Sequence, residues 1–457
     1  MEIPGRDAYE DSSAHAIGIP YPLESKRMKA VGGTTLHWGA RIQRLMPSDF
    51  RNASVYGMGT DWPLSYEDLE PYYSEADWRM GVAGSHHESQ PRRSRAYPMP
   101  AFPLSVDEQF WLPRADLLGI EVHASAFAIN STAFAGRSEC KAFAACHQCP
   151  SGARYSADFH LDEAEASGLC DVVAECVARR VEMNAAGEVR AVHATTMAGK
   201  DLEFKARQFV IAAHAVESAR LLLLSKCGNR SGHVGRHFME HVYTRAGGYF
   251  LGQRFFPGRV GYEKLESLSF YDGPERHERG AIKLEFVFQE NPLQEMHRHR
   301  LWGLALARRD KERFGHWLGI DCETEMQANP DSRITLDERK RDVFGDPVPH
   351  VHMKFNKVDL HTQARAKAIG AEILSSIGAR EIEQNGGLGF FFAGHQMGTC
   401  RMSSDPDKGV VDQHLRVHEA SNLYVVGSSV FPTSGAAQPT LTIAALSLRL
   451  ADHLMRS

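Results

Sequence analysis

A run of four apolar residues, Phe209–Ala212, does most to limit the folds open to this chain. Such a short and wholly apolar run is typical of a buried strand in a parallel sheet. It continues through a turn at His214 into a helical pattern that begins near Glu217. Turns of this kind often need a positive φ, which histidine tolerates, so we interpret His214 as conformational. A parallel strand followed by a helix predicts an α/β fold.

The pattern changes after residue 240. Short β-type segments appear, followed by an amphipathic helix at Leu360–Ile377; the segments are Ala281–Gln289, Leu301–Ala307, Cys322–Gln327, Arg333–Leu336 and His350–Phe355. They predict an antiparallel sheet backed by helices, distinct from the parallel part, and so an α+β organisation overall. A chain of 457 residues also favours two domains over one.

Charge and hydropathy exclude several classes of partner. The net charge of −5 provides no basic surface for nucleic acid. The longest apolar stretches fall far below the ~20 residues of a membrane-spanning helix. The first residues contain no apolar core of a signal peptide, so we expect no such peptide in this chain. Cytoplasmic and periplasmic locations both stay open.

Three stretches, in this order and spacing, resemble the glucose-methanol-choline (GMC) family of flavin-dependent oxidoreductases. They are Val31–Phe50, which contains GGTTLHWG, then Glu325–Phe355 and Ala393–Leu450. The resemblance is nearest to the large subunits of bacterial gluconate, glucose and fructose dehydrogenases and to pyranose-oxidase-like enzymes. It implies FAD as cofactor and oxidation of a CH–OH group of a sugar or polyol, by proton abstraction and hydride transfer to the flavin.

The resemblance also implies a domain organisation. Residues 1–239 and 386–457 would form an incomplete Rossmann-like domain of the FAD/NAD(P)-binding type, with the second segment carrying the catalytic histidine. Residues 240–385 would form a substrate-binding domain built on the antiparallel sheet.

Cofactor contacts follow from the same resemblance. In the family the GGTT-type loop lies along the flavin, where glycine lets backbone amides approach phosphate oxygens. The last helix would direct its positive amino-terminal end at the reduced flavin. The expected cofactor-binding residues are Gly32, Gly33, Thr34, Thr35, His37, Trp38, Gly39, Val177, Gly427, Ser428, Ser429, Pro439 and Thr440. His37 matches the histidine that bonds covalently to flavin in the pyranose-oxidase branch; we favour a hydrogen-bonded histidine beside Trp38.

His395 matches the catalytic histidine of the family. An imidazole, with an ordinary pKa of about 6.5, accepts a hydroxyl proton near neutral pH. The second active-site residue of the family, asparagine or histidine, corresponds to Gln438, which is a departure. Glutamine donates and accepts hydrogen bonds but is no base at neutral pH. We therefore expect His395 alone to carry the proton and Gln438 to position the substrate.

A cysteine cluster lies at Cys140, Cys146 and Cys149. A similar place in the dehydrogenase branch supplies thiolates to an iron–sulfur cluster, although that branch has a further cysteine. A zinc site that uses His147, or reduced thiols in a loop, are the alternatives. All three interpretations stay open at this point.

These 457 residues contain no GxGxxG dinucleotide fingerprint. A fragment, a split protein whose βαβ unit is a separate chain, and a chain that no longer binds flavin are the three explanations. We expect a sugar or alcohol substrate and either a small partner subunit or a separate chain that supplies the βαβ unit. The alternative function is a truncated or split subunit that is not catalytic and does not bind flavin alone.

Overall fold

The computed structural model describes residues 15–16, 19–21, 23, 26–141, 149–255, 265–288, 300–384 and 391–456. Its helices are α1 Asn52–Tyr56, α2 Tyr66–Met80, α3 Val106–Leu117, α4 Asp158–Ala166, α5 His214–Ser225, α6 Gly303–Arg313, α7 Lys357–Ser376 and α8 Thr440–Arg456. Its strands are β1 His15–Ala16, β2 Ile19–Pro20, β3 Ala83–Gly84, β4 Met99–Pro100, β5 His123–Ala124, β6 Cys176–Met183, β7 Val189–Thr196, β8 Asp201–Phe204, β9 Phe209–Ile211, β10 Val242–Tyr249, β11 Leu265–Ser267, β12 Ile282–Val287, β13 Trp317–Thr324, β14 Arg333–Arg341, β15 Pro347–Met353, β16 Arg380–Gln384, β17 Phe391–Phe392 and β18 Leu423–Val425.

The largest sheet is antiparallel and follows the order β16-β10-β13-β12-β11-β5, with β17 also paired to β10. Helix α7 packs on it, and Gly370 lets the helix approach closely, because a Cβ there would lie 2.9 Å from the Cβ of Ala246. The expected antiparallel sheet backed by a helix is confirmed. The mixed helix-and-sheet architecture also confirms the predicted α/β class.

One predicted strand is wrong. Residues 301–307 were expected to be extended, but most of this segment belongs to α6, which begins at Gly303. The sequence that follows, LALARRDKER, consists of residues with high helix propensity. This propensity decides the conformation, since none of the residues of α6 is buried.

The parallel part is a pair of strands, β9 and β18, in which Phe209 pairs with Leu423 and Ile211 with Val425. Phe209 and Ile211 are buried, as predicted, but Val210 between them is 45% exposed. The strand is therefore covered on one face only, and the expectation that the whole run is buried is wrong. Helix α5 begins directly after β9 at His214, whose φ is +67°. The predicted left-handed turn is confirmed.

A contact between α2 and α8, which are far apart in the sequence, positions the carboxy-terminal helix. Ser65 caps the amino-terminal end of α2, and its side chain accepts a hydrogen bond from the backbone of Asp68. The Tyr73 hydroxyl of α2 lies 2.8 Å from Oγ1 of Thr442, and this contact fixes α2 to the first turn of α8. Within the part of the chain that the structure describes, no helix has the length and hydropathy of a membrane span.

His214 links the fold to pH. Burial, with the Arg27 guanidinium nearby, lowers the pKa of His214 to about 4. The unfolded chain binds a proton near pH 6.5 that the folded chain takes up only near pH 4. The contribution of neutral His214 to the free energy of unfolding is therefore complete above pH 6.5 and is lost as the pH falls from about 6.5 towards 4.

We predict that His214→Asn removes this dependence and keeps the turn, because asparagine also tolerates a positive φ. Between pH 7 and pH 5 the wild type should lose about 2 kcal/mol more unfolding free energy than the variant. Urea titrations at the two pH values measure the difference. His214→Ala, as the control, should also lose the pH dependence but cost about 1 kcal/mol at pH 7 through backbone strain. An Asn variant with the full wild-type slope would contradict the prediction.

Candidate active site

His395 lies in the loop that follows β17, with its side chain 22% exposed. Its backbone N–H donates to Oε1 of Glu240 over 2.6 Å. Its ring nitrogen Nδ1 lies 3.0 Å from Oε1 of Glu323 and 3.0 Å from Nδ1 of His241. Among the described residues, none forms a hydrogen bond with Nε2 of His395. The ring is therefore held by one nitrogen, and the other remains available.

Glu323, at the end of β13, is fully buried, and cationic or hydrogen-bonding groups lie beside both of its oxygens. His241 and His395 face Oε1, whereas the Lys283 ammonium and Nε2 of Gln438, at 3.0 Å, contact Oε2. Burial alone would raise the pKa of this carboxyl, but Lys283 and His241 hold it well below its usual range. Glu323 is therefore ionised at the centre of the site.

His241 is placed to carry protons on both ring nitrogens. Its Nε2 lies 3.0 Å from the carbonyl oxygen of Gly435, which can only accept, and its Nδ1 lies 2.8 Å from the Glu323 carboxylate. Burial would lower the pKa of His241, yet the nearby Glu323 charge outweighs burial and raises it. The pair is an imidazolium and a carboxylate in the protein interior.

A second layer of charges surrounds this pair on the neighbouring strand. Lys283 and Glu285 both lie on β12, where Lys283 pairs across the sheet with Glu323. Arg41 forms an ion pair with Glu285. Burial would raise the pKa of Glu285, but Arg41 and Lys283 lower it. These buried charges neutralise one another, as buried ions must.

The partners of His395 were not found by sequence reasoning, which identified only His395 and Gln438. The signal was present, however. Ionisable residues lie within two β-type segments, AIKLEFVF around Lys283 and GIDCETEM around Glu323. A charge inside a buried strand needs a partner, so such residues indicate a functional site.

Hydrogen bonds join the loop that carries His395 to the bend Gly427–Ser429. The Ser428 hydroxyl donates to the carbonyl of Gln396 over 2.6 Å, and the backbone N–H of Gly398 donates to the Ser428 carbonyl. Gly427 has φ +100°, with open space where a Cβ would stand. Oγ of Ser429 is buried without a hydrogen-bond partner among the described residues. An open glycine bend and an unsatisfied hydroxyl at the end of a parallel strand fit a bound phosphate or ribityl group.

The GGTT loop adopts the backbone that its glycines permit, with φ +91° at Gly32 and +57° at Gly33. The Thr35 hydroxyl donates to the Gly32 carbonyl and accepts from the backbone of Ala157. Trp38 donates its indole N–H to the carbonyl of Tyr155 over 2.8 Å. These contacts order the loop itself.

The remaining predicted cofactor residues are placed as follows. Thr34 accepts a hydrogen bond from the backbone of Met28, and His37 ends the 3₁₀ turn Gly33–Leu36. Val177 lies in a separate three-stranded sheet, paired with Thr195. No hydrogen bond among the described residues joins this group to His395, so these cofactor roles stay predictions, as do those of Gly39, Pro439 and Thr440.

The cysteine cluster is described only in part. Cys140 and Cys149 are half-buried. Cys146 lies outside the described residues. The interpretations of this cluster therefore stay predictions.

Comparison with known proteins finds two matches to family models described as GMC oxidoreductase, over residues 108–243 and 328–447. The chain is 31% identical to the fructose dehydrogenase large subunit of Gluconobacter japonicus, over 97% of this chain and 82% of that protein. It is 28% identical to 2-methyl-1,2-propanediol dehydrogenase of Mycolicibacterium austroafricanum, over 98% and 83%. Among solved structures, a formate oxidase variant of Aspergillus oryzae, studied for its FAD modification, matches with TM-score 0.68 and 16% identity, over 99% and 89%.

We predict that the Glu323–Lys283 pair is strongly coupled. Glu323→Gln leaves a buried ammonium and imidazolium without their common partner, so it should cost about 3–5 kcal/mol of unfolding free energy. Adding Lys283→Met removes the ammonium that Glu323 no longer neutralises, so the double variant should cost less than the sum of the two single variants.

Urea unfolding of the four proteins in this cycle measures the coupling. The control is the Lys354–Asp331 pair, whose side chains are 63% and 57% exposed. The same cycle there should give almost no coupling. Additive costs at Glu323 and Lys283 would contradict the prediction.

Proposed function

The chain belongs to the GMC oxidoreductase family, and we propose that it oxidises a CH–OH group of a sugar or polyol with FAD as the oxidant. One observation carries the proposal: His395 is held through Nδ1 by a buried carboxylate, and its Nε2 makes no hydrogen bond among the described residues. The names of the two relatives, fructose dehydrogenase and 2-methyl-1,2-propanediol dehydrogenase, support a polyhydroxylated substrate for this chain.

Several residues of the chain would hold FAD. The bend Gly427–Ser429 offers open backbone and an unsatisfied hydroxyl, and the GGTT loop offers two glycines with positive φ. When bound, FAD supplies the two-electron acceptor that takes hydride from the carbinol carbon. The amino-terminal end of α8, at Pro439 and Thr440, would stabilise negative charge there.

His395 would remove the hydroxyl proton. With Nδ1–H directed at Glu323, the neutral ring has its lone pair on Nε2, and this atom accepts the proton from the substrate hydroxyl. The imidazolium that results faces the carboxylate of Glu323, and Glu240 accepts from the backbone of His395 itself. Both negative charges favour the protonated ring, as the carboxylate of a catalytic triad does.

Gln438 would act as a positioning residue. Its Nε2 donates to Glu323 over 3.0 Å and to Glu285 over 3.3 Å. Its Oε1 is buried with no hydrogen-bond partner among the described residues. An unsatisfied acceptor beside His395 fits a substrate hydroxyl that donates to it.

We predict that His395→Ala retains flavin and lowers kcat about 10²–10⁴-fold, because a positioned general base contributes that factor. Dye reduction with a panel of sugars and polyols measures the rate, and flavin absorbance per chain measures the cofactor. His193→Gln, which removes a half-exposed histidine paired with Glu182 on another sheet, is the control and should change neither. Wild-type rates in the His395 variant would refute the assigned role.

The alternative is a subunit that does not bind flavin alone. The exposed face of β9 at Val210 favours it, because a further layer or strand would normally cover such a position. Absorbance of the purified chain distinguishes the two: near-stoichiometric flavin supports the enzyme, and flavin that appears only on coexpression with a separate βαβ unit supports a split enzyme. The relative named a large subunit favours a small partner subunit as well.

An iron–sulfur cluster at Cys140, Cys146 and Cys149 is a separate prediction. If it is present, iron and acid-labile sulfide should be found in the anaerobically purified protein and should fall on Cys149→Ser, since thiolates are the ligands. Cys322→Ser, at a buried thiol in β13, is the control and should keep the iron. Protein without iron would contradict the iron–sulfur cluster and leave a zinc site or reduced thiols as the remaining interpretations.

A further inference from the structure

Three potential metal ligands from three different segments converge on one point. Oε1 of Glu323 lies 2.8 Å from Nδ1 of His241 and 3.0 Å from Nδ1 of His395, and the two ring nitrogens are 3.0 Å apart. Each of these atoms can present a lone pair to the same point. These lone pairs repel one another unless a positive charge lies between them. The protons on the ring nitrogens supply that charge, and a metal ion can take their place.

We propose that His241, Glu323 and His395 form a binding site for one divalent transition-metal ion, represented by Zn²⁺, and that the bound ion switches off His395 as a base. The first part stands on the geometry alone. The second part rests on the proposed function.

The distances suit a metal. An ion about 2.0–2.1 Å from each of three atoms that are 2.8–3.0 Å apart would see ligand–metal–ligand angles of about 90°. This is one face of an octahedron, and two histidines with one carboxylate are a known ligand set for first-row metals. Outward shifts of a few tenths of an ångström would give the tetrahedral angles that zinc prefers.

The surrounding contacts are those of a metal centre. Nε2 of His241 donates to the carbonyl of Gly435, which orients the ring and leaves Nδ1 as the ligand atom. Gln438 and Lys283 hold the other oxygen of Glu323, so Oε1 remains for the metal.

The local charge also tolerates the ion. The carboxylates of Glu240 and Glu285 lie around the site and offset the charges of Lys283 and Arg41. A divalent ion bound to Glu323 would therefore leave no large excess of positive charge in the interior.

Metal binding would change the tautomer of His395. A neutral imidazole has one lone pair on its ring nitrogens, and a metal at Nδ1 uses it, so the proton must reside on Nε2. Binding displaces both Nδ1 protons: the imidazolium of His241 releases one to solvent, whereas neutral His395 keeps one proton, now on Nε2, which can then donate but not accept. The ion would thus inhibit the oxidation without contacting the substrate.

Equilibrium dialysis of the full chain against Zn²⁺, followed by zinc analysis, tests the site without reference to activity. Wild type and the control His193→Gln should each bind one equivalent more than His395→Gln. The affinity for this equivalent of Zn²⁺ should be at least tenfold weaker in the His395→Gln variant. His395 is 22% exposed, so its replacement should leave the fold intact.

Equal zinc content in wild type and His395→Gln overturns the inference. Substrate oxidation measured with and without Zn²⁺ separates it from the proposed function. Zinc bound through His395 in a protein that oxidises nothing supports the metal site and contradicts the function. An active enzyme whose zinc content does not depend on His395 supports the function and contradicts the metal site. Zinc inhibition that a chelator reverses supports both the metal site and the function.

Discussion

The buried carboxylate of Glu323 is the constraint on which the rest of the site depends. An ionised group with no access to water must be compensated by opposite charges or hydrogen bonds, and this one has such partners on four separate segments. Those segments are the residue before β10, the start of β12, the loop after β17 and the approach to α8. One charge therefore fastens the antiparallel sheet to the carboxy-terminal segment, and small shifts in any of the four would leave a buried charge unpaired.

The loop that carries His395 is rigid for a related reason. Glu240 accepts from the backbone of both His241 and His395, and its other oxygen accepts from the hydroxyl of Tyr21. Burial raises the pKa of Glu240, so its contacts are formed in an apolar setting where they are strong. The loop is also bonded to the bend at Ser428. His395 and the bend thus belong to one supported unit, as the proposed catalytic role requires.

Much of the architecture could be predicted from local pattern. The apolar run at residues 209–212 indicates a parallel strand, and the alternation after residue 280 indicates an antiparallel sheet; both are present. The strand predicted at residues 301–307 is wrong because helix propensity, not apolar content, decides the conformation of an exposed segment. The exposure of Val210 was missed because an apolar run does not reveal how many faces its neighbours cover.

The sequence by itself determined the family resemblance, the fold class, His395 and Gln438, because these follow from motifs and periodicities that are local in the chain. Only the tertiary structure decided what His395 touches. Glu323, His241 and Lys283 lie 72, 154 and 112 positions before it, on strands whose registers bring their charges together. A pairing over such separations is set by sheet register and by the need to neutralise buried charge, so ionisable residues within a strand indicate that partners exist but not which residues they are.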